Sequence, residues 1–171
     1  MNEQHTALEG FRREDVIIRV MRRSDLPVII ALDAQAFGTE RPAYYEHKLT
    51  TFDPANPRAP AVSLVADYHD TVSGFVMGTL AYGEFGLPQL TALIDSIAVH
   101  PRLQRQGIGQ RLIEAFIEES ERHGAASVYT LVNWDNWNLL KVFHSLGFSL
   151  ASTIPLERRI NSRGGQDCHE Q

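Results

Sequence analysis

Ile97-Ala98-Val99-His100-Pro101-Arg102-Leu103-Gln104-Arg105-Gln106-Gly107-Ile108-Gly109-Gln110-Arg111 decides the fold, because an apolar run gives way there to a glycine turn that opens an amphipathic helix. Leu93 to Val99 is short and apolar, as a buried strand is, and Pro101 ends its ladder because proline has no N–H to donate. Beyond the turn, Ile108, Leu112, Ile113, Ala115, Phe116 and Ile117 recur at helical spacing, with Glu114, Glu118, Glu119 and Arg122 largely on the other face. A helix therefore starts near Gly107. Its first amides have no intrahelical acceptor, and glycine lets a ligand come close to the backbone, so these N–H groups and the helix dipole favour an anion.

The spacing excludes the better-known phosphate loops. There is no Gly-x-x-x-x-Gly-Lys-Ser/Thr run, and Gly107-Ile108-Gly109 lacks the third glycine of the dinucleotide fold, so nucleotide hydrolysis and nicotinamide or flavin chemistry both lose support. At 171 residues, 43% hydrophobic and 22% charged, the chain fits one globular domain with a sizeable core. A net charge of −5 argues against a nucleic-acid partner held by bulk electrostatics. The single Cys168 lies in a polar tail, so no intrachain disulfide forms, and the histidines and carboxylates show no metal-ligand spacing. No metal is expected. No apolar run reaches the ~20 residues of a membrane span and the N-terminus has no apolar signal segment, so no membrane partner is expected and the expected location is the cytoplasm.

Residues 1–15 are polar and read as a flexible tail, after which Val16 to Met21 has the β-branched content of a first strand. Ser24-Asp25 can cap a helix with Pro27 in its first turn and Gly38 at its end. A second short helix over Ala43 to Thr50 precedes a loop broken by Pro54, Pro57 and Pro60. Val62 to Tyr68 and Val72 to Tyr82 form a hairpin turned at His69-Asp70, and a strand over Ala92 to Val99 leads into the Gly107 helix, which Gly124 ends. A strand at Ser127 to Val132, a helix from Asp135 to Leu146 and a last strand from Phe148 complete the order βα(α)ββ–βαβαβ. One domain over residues 16–157 is expected, with residues 158–171 as a second flexible tail.

Two motifs in this order carry a resemblance. Gln104-Arg105-Gln106-Gly107-Ile108-Gly109 resembles the acyl-CoA pyrophosphate loop, Gln/Arg-x-x-Gly-x-Gly/Ala, of the GNAT family of N-acetyltransferases. Independently, Asn136-Trp137-Asn138-Leu139-Leu140-Lys141-Val142-Phe143-His144-Ser145-Leu146-Gly147-Phe148 resembles the family's C-terminal signature, in which an asparagine precedes Leu-Tyr-x-x-x-Gly-Phe. The resemblance implies an α/β (α+β) fold with a mixed, mostly antiparallel sheet of about six to seven strands and about four helices, splayed between its fourth and fifth strands. It implies acetyl-CoA as cosubstrate and an amine as acceptor, and homodimers are common among such proteins. The pyrophosphate would meet the amides of Arg105, Gln106, Gly107, Ile108, Gly109 and Gln110, with Gln104 opening the loop. The pantetheine would lie along Ile97, Ala98 and Val99 as an added strand and meet the Asn136 amide. Affinity then comes mainly from backbone, and the Arg105 side chain by itself reads as an exposed cation.

The chemistry departs from the family pattern. Acetyl transfer needs a neutral amine, so an ammonium of pKa about 10 must first lose a proton. Many family members place a tyrosine as proton donor where this chain has Phe143, and the ribosomal-protein N-terminal acetyltransferases place a glutamate as base where it has Leu131. Asp95, a carboxylate in an otherwise apolar strand, is the leading base; its alternative is a carboxylate at a solvated strand edge or one that accepts backbone hydrogen bonds. Strand alternation would turn Ser96 to the other face. His144 reads as surface and Tyr129 as a hydroxyl source, and Trp134 and Trp137 either wall a substrate pocket or, on the preferred reading, pack between helix and sheet. Tyr44, Tyr45 and Glu46 resemble substrate-facing positions of the family. Two functions follow: an acetyl-CoA-dependent N-acetyltransferase acting on a small amine, a lysine or a protein N-terminus, or a CoA-binding sensor with little catalysis.

Overall fold

The computed structural model describes residues 11–51, 61–83, 86 and 88–158. The loop expected around Pro54, Pro57 and Pro60 and the tail holding Cys168 lie outside these residues. The described elements are β1 (Val16–Val20), α1 (Leu26–Phe37), α2 (Pro42–Thr51), β2 (Ala61–Tyr68), β3 (Thr71–Tyr82), β4 (Leu90–Val99), α3 (Ile108–Arg122), β5 (Ser127–Thr130) and α4 (Trp137–Ser145). They build one five-stranded sheet in the order β1-β2-β3-β4-β5, antiparallel except for the parallel β4–β5 pair. The β2–β3 hairpin turns on His69 and Asp70 at φ of 50° and 60°, the double left-handed turn that suits strand twist.

The two faces of the sheet bury different helices. On one, Ile108, Leu112, Ile113 and Phe116 of α3 pack with Val76, Leu80, Ala92 and Ile94. On the other, Ile29 and Leu32 of α1 and Tyr45 of α2 pack with Phe75, Met77 and Ala98. Each fully buried aliphatic or aromatic chain contributes about 1.5–3 kcal/mol, so α3 is held by its apolar stripe rather than by helix propensity. Gly78 permits the α3 contact: a Cβ there would lie 2.5 Å from the Phe116 ring and 2.2 Å from the Leu93 carbonyl oxygen.

Beside Gly78 the ladder slips. Met77 pairs with Ser96 but Gly78 pairs with Ile94, which leaves Asp95 as the extra residue of a β-bulge. The facing pattern of β4 changes accordingly. Ala92 and Ile94 face α3 before the bulge, whereas after it Ile97 and Val99 do so and Ala98 joins the α1/α2 core.

Several expectations are corrected. The described residues form five strands, not six to seven: the strand expected from Phe148 is absent, and Leu150, Ile154 and Leu156 are 97%, 81% and 95% exposed. β5 has only 4 residues to offer as a partner, and Pro155 removes a donor. β5 ends at Thr130, short of Val132. The packed domain begins before Val16, because Phe11 stacks 5.1 Å from Tyr68 and rests on the α3 core. Asp25 does not cap α1; its carboxylate instead takes two bonds from Arg19, at 2.8 and 3.0 Å, and one from the Arg22 amide at 2.7 Å. Among the described residues no helix is long and apolar enough to cross a membrane.

Candidate active site

β5 pairs with β4 only from Thr91 to Ile94, the last link being a bond from the Thr130 hydroxyl to the Ile94 carbonyl at 3.2 Å. From Asp95 to Val99, β4 keeps β3 on one side and has no strand on the other among the described residues. The sheet is therefore splayed at the expected place, and about 13 Å of backbone edge, four residue rises, is open to an extended ligand. At its far end the Gln104 side chain donates to the Val99 carbonyl at 3.0 Å, so Gln104 tethers the loop to the strand.

After a short turn at Pro101–Leu103 the chain reaches Arg105, at φ 62°, and Gly107, at φ 81°, the N-cap of α3. No side chain caps this helix, so its first amides point outward without an intrahelical partner. Phe11, Arg13, Arg105, Gln106, Gly107 and Gln110 line a cavity of about 440 Å³ there. Arg111 holds the Arg13 carbonyl at 2.6 Å, which brings the Arg13 guanidinium to 3.2 Å from where a Gly107 Cβ would stand. The Arg13 guanidinium, Arg105 and a helix N-terminus thus border one open pocket, an arrangement suited to a polyphosphate. Arg13 escaped sequence analysis because it lies 94 residues from Gly107 in a segment read as a tail.

The other predicted positions divide. Ile108 is buried in the core and offers only its amide; Gln110 reaches the Ser145 hydroxyl of α4 at 3.5 Å. Asn136 caps α4 by accepting the Leu139 amide at 3.2 Å through its Oδ1. Phe143 is buried, with its ring 4.9 Å from that of Phe148, while Leu131 is exposed. Trp134 and Trp137 are 81% and 65% exposed and do not pack between helix and sheet as expected. His144 and Glu46 are exposed and Tyr129 is half-buried.

On the α1/α2 face, Asp95 forms an ion pair with Lys48 of α2. The Tyr44 hydroxyl, one helical turn before Lys48, lies 3.3 Å from Asp95 Oδ1 and 3.3 Å from Ser96 Oγ. The expectation that Asp95 and Ser96 face opposite ways is therefore wrong. The bulge cancels the alternation, and both meet one hydroxyl.

Behind this cluster, Arg41 donates to the fully buried Asp33 through two bonds, at 2.9 and 2.6 Å, and its guanidinium stacks 4.8 Å over the Tyr44 ring. Hydrogen bonding to Asp33 holds the Arg41 pKa above its ordinary value. Tyr45, edge-on to Phe75 at 6.0 Å, anchors α2 in the core; burial, and then the Asp33 carboxylate, push its hydroxyl pKa well above the ordinary value. The Tyr45 hydroxyl and the Ser63 hydroxyl are buried without hydrogen-bond partners among the described residues. Lys48 was not found in the sequence, where nothing local links it to Asp95, 47 positions away, and neither was the Asp33–Arg41 pair, whose residues are 8 positions apart.

Residues 27–148 match the model of the acetyltransferase (GNAT) family. Over 151 residues the chain is 27% identical to the ribosomal protein bS18-alanine N-acetyltransferase of Salmonella typhimurium, which spans 88% of this chain and 92% of that one. Its fold is similar to that of a transcriptional regulator from Bacillus halodurans C-125, with a TM-score of 0.71 at 21% identity over 85% of this chain and 99% of the other. It is also similar to aminoglycoside N-acetyltransferase AAC(6')-Iy in complex with CoA, with a TM-score of 0.71 at 18% identity over 84% and 94% of the two chains. With splayed sheet, glycine loop and family match in agreement, the chain belongs to the GNAT family of acetyltransferases.

Proposed function

We propose that this N-acetyltransferase passes the acetyl group of acetyl-CoA directly to a primary amine held at Asp95, within a ternary complex. The observation that carries the reading is the open β4 edge, which runs from the cationic cavity at the α3 N-terminus to Asp95. When bound, acetyl-CoA supplies an acetyl group activated as a thioester. The amides from Arg105 to Gln110, together with the Arg13 and Arg105 guanidinium groups, bind its pyrophosphate. Ile97, Ala98 and Val99 hold the extended arm through backbone bonds, as they would an added strand, and Asn136 keeps its NH₂ for that arm while its oxygen caps α4.

Asp95 then holds the acceptor ammonium and takes its proton, with the Tyr44 hydroxyl, itself bonded to the Ser96 hydroxyl, fixing the carboxylate. Neither Phe143 nor Leu131 carries a titratable group, so catalysis rests on Asp95, ordered water and backbone positioning. The acceptor is a small amine, a lysine or a protein N-terminus. Relatives named for a ribosomal-protein alanine and for aminoglycosides support an amine-bearing acceptor.

Thiol release from acetyl-CoA across a panel of amines, with products identified by mass spectrometry, tests the reading. Turnover is expected on at least one class, and Asp95→Asn is expected to lower kcat/KM on the order of 100-fold or more, the usual contribution of a general base. An unchanged rate in that variant removes Asp95 from the mechanism. CoA binding with no turnover on any amine overturns the transferase reading.

A further inference from the structure

Only two lysines, Lys48 and Lys141, occur among the 171 residues. One of them stands at the acceptor carboxylate. The Lys48 ammonium pairs with Asp95 and lies 5.6 Å from the centre of the Tyr44 ring, with its side chain still 20% exposed. Asp95 is the bulge residue at the inner end of the open β4 edge, opposite the end that meets the glycine loop. A thioester at that inner end would therefore find the protein's own primary amine already seated on the proposed base.

We propose that Lys48 is an acetylation site of this protein's own active centre. The inference rests on the transferase reading given above. Asp95 takes one proton from the Lys48 ammonium; the neutral Nζ forms a bond to the acetyl carbonyl carbon, and the carbon–sulfur bond of acetyl-CoA breaks. Of the two protons that the nitrogen loses in all, one leaves through Asp95 to water and the other ends on the CoA thiol. The product is an uncharged amide, so Asp95 loses its ion-pair partner. An external ammonium can then take that place, which makes the modification a first turnover that opens the acceptor site.

Lys141, exposed on α4, is a built-in control for uncatalysed acetylation. The native protein is incubated with acetyl-CoA alone and mapped by peptide mass spectrometry, while the amine panel runs in parallel. Lys48 is expected to be labelled on the order of 100-fold faster than Lys141, at a first-order rate independent of protein concentration, and Asp95→Asn is expected to remove that preference. Lys48→Arg keeps the cation, so circular dichroism should report an intact fold while active-site labelling is lost. Equal labelling of the two lysines, or a rate proportional to protein concentration, overturns the inference. An unlabelled Lys48 in a protein that turns over external amines overturns it and leaves the transferase reading standing; no transfer to Lys48 or to any amine overturns both.

Discussion

Alanine at Gly107 and alanine at Gly109 should have opposite effects, although the two glycines belong to one loop. Gly107 sits at φ 81°, and a left-handed backbone costs a residue with a Cβ about 1–2 kcal/mol. The new methyl would stand 3.2 Å from the Arg13 guanidinium, the free end of a flexible side chain, which adds little. At about 2–4 °C per kcal/mol for a chain of this size, Gly107→Ala should lower Tm by about 2–8 °C. Gly109 lies in the first turn of α3, where a Cβ would meet Val99 Cγ2 at 3.8 Å, an ordinary contact. There alanine recovers helix propensity, about 0.8–1 kcal/mol, so Gly109→Ala should raise Tm by about 2–4 °C. Function should separate in the same sense. If Gly107→Ala turns the first amides away and weakens one charge-assisted bond of about 1.5–3 kcal/mol, KM for acetyl-CoA rises at least about tenfold, whereas Gly109→Ala keeps it within about threefold. Thermal melts and thiol-release kinetics at saturating amine measure both. Wild-type KM in Gly107→Ala, or an equal rise in Gly109→Ala, would refute the assignment of the phosphate to amides that the Gly107 turn aims.

Three further outcomes test the scaffold behind the site. Gly78→Ala should cost about 3 kcal/mol or more by overpacking, and Phe116→Leu should rescue it only in part, because the 2.2 Å contact is with the Leu93 backbone and only the ring can be trimmed; paired denaturant titrations measure this. Asp33→Asn should cost about 3 kcal/mol, the low end for breaking a buried ion pair, because Arg41 is 33% exposed and can turn to water; the same titrations check it. The Arg19 guanidinium holds the Asp25 carboxyl below its ordinary pKa. A carboxylate with a depressed folded pKa contributes stability that is complete above its unfolded pKa, about 3.9, and is lost as pH falls through the lower folded value. The Tm gap between wild type and Asp25→Asn should therefore be constant above about pH 5 and shrink below about pH 4; a gap that widens on acidification would contradict the pairing.

The order of elements was legible because each rests on a local signal. The α3 stripe, the positive-φ turn at His69-Asp70 and the glycine stops at Gly38 and Gly124 are written within a few residues of where they act. The sixth strand failed for the converse reason. Its apolar residues, Leu150, Ile154 and Leu156, satisfy the composition of a strand, but a strand also needs a partner edge, and β5 is 4 residues long. In the candidate site, Gln104 to Gly109 and Asn136 were singled out by motif, and two of those side chains do structural work: Gln104 ties the loop to Val99 and Asn136 caps α4. Arg13 and Lys48 were missed because their significance is wholly tertiary.

The bulge at Asp95 explains why the proposed acceptor half of the site was harder to read than the proposed cofactor half. A glycine loop declares itself by residue type, since only glycine sits at φ 81° without strain. A bulge in β4 carries no such residue type: Ile94-Asp95-Ser96-Ile97 holds no glycine, and regular strand alternation sends Asp95 and Ser96 to opposite faces. The one-residue slip against Gly78 reverses that inference and also reverses which of the later residues are buried, so Ala98 enters the α1/α2 core while Ile97 and Val99 turn toward α3. A glycine stands at the same place on the neighbouring strand. Gly78 lets Phe116 approach the sheet at the point where the ladder slips, and the slip gathers Asp95, Ser96, Tyr44 and Lys48. Gly78→Ala should accordingly lower activity more than its loss of stability alone would, because it moves the strand that holds the proposed base. Activity per folded molecule that stays at the wild-type level in that variant would separate the bulge from the chemistry.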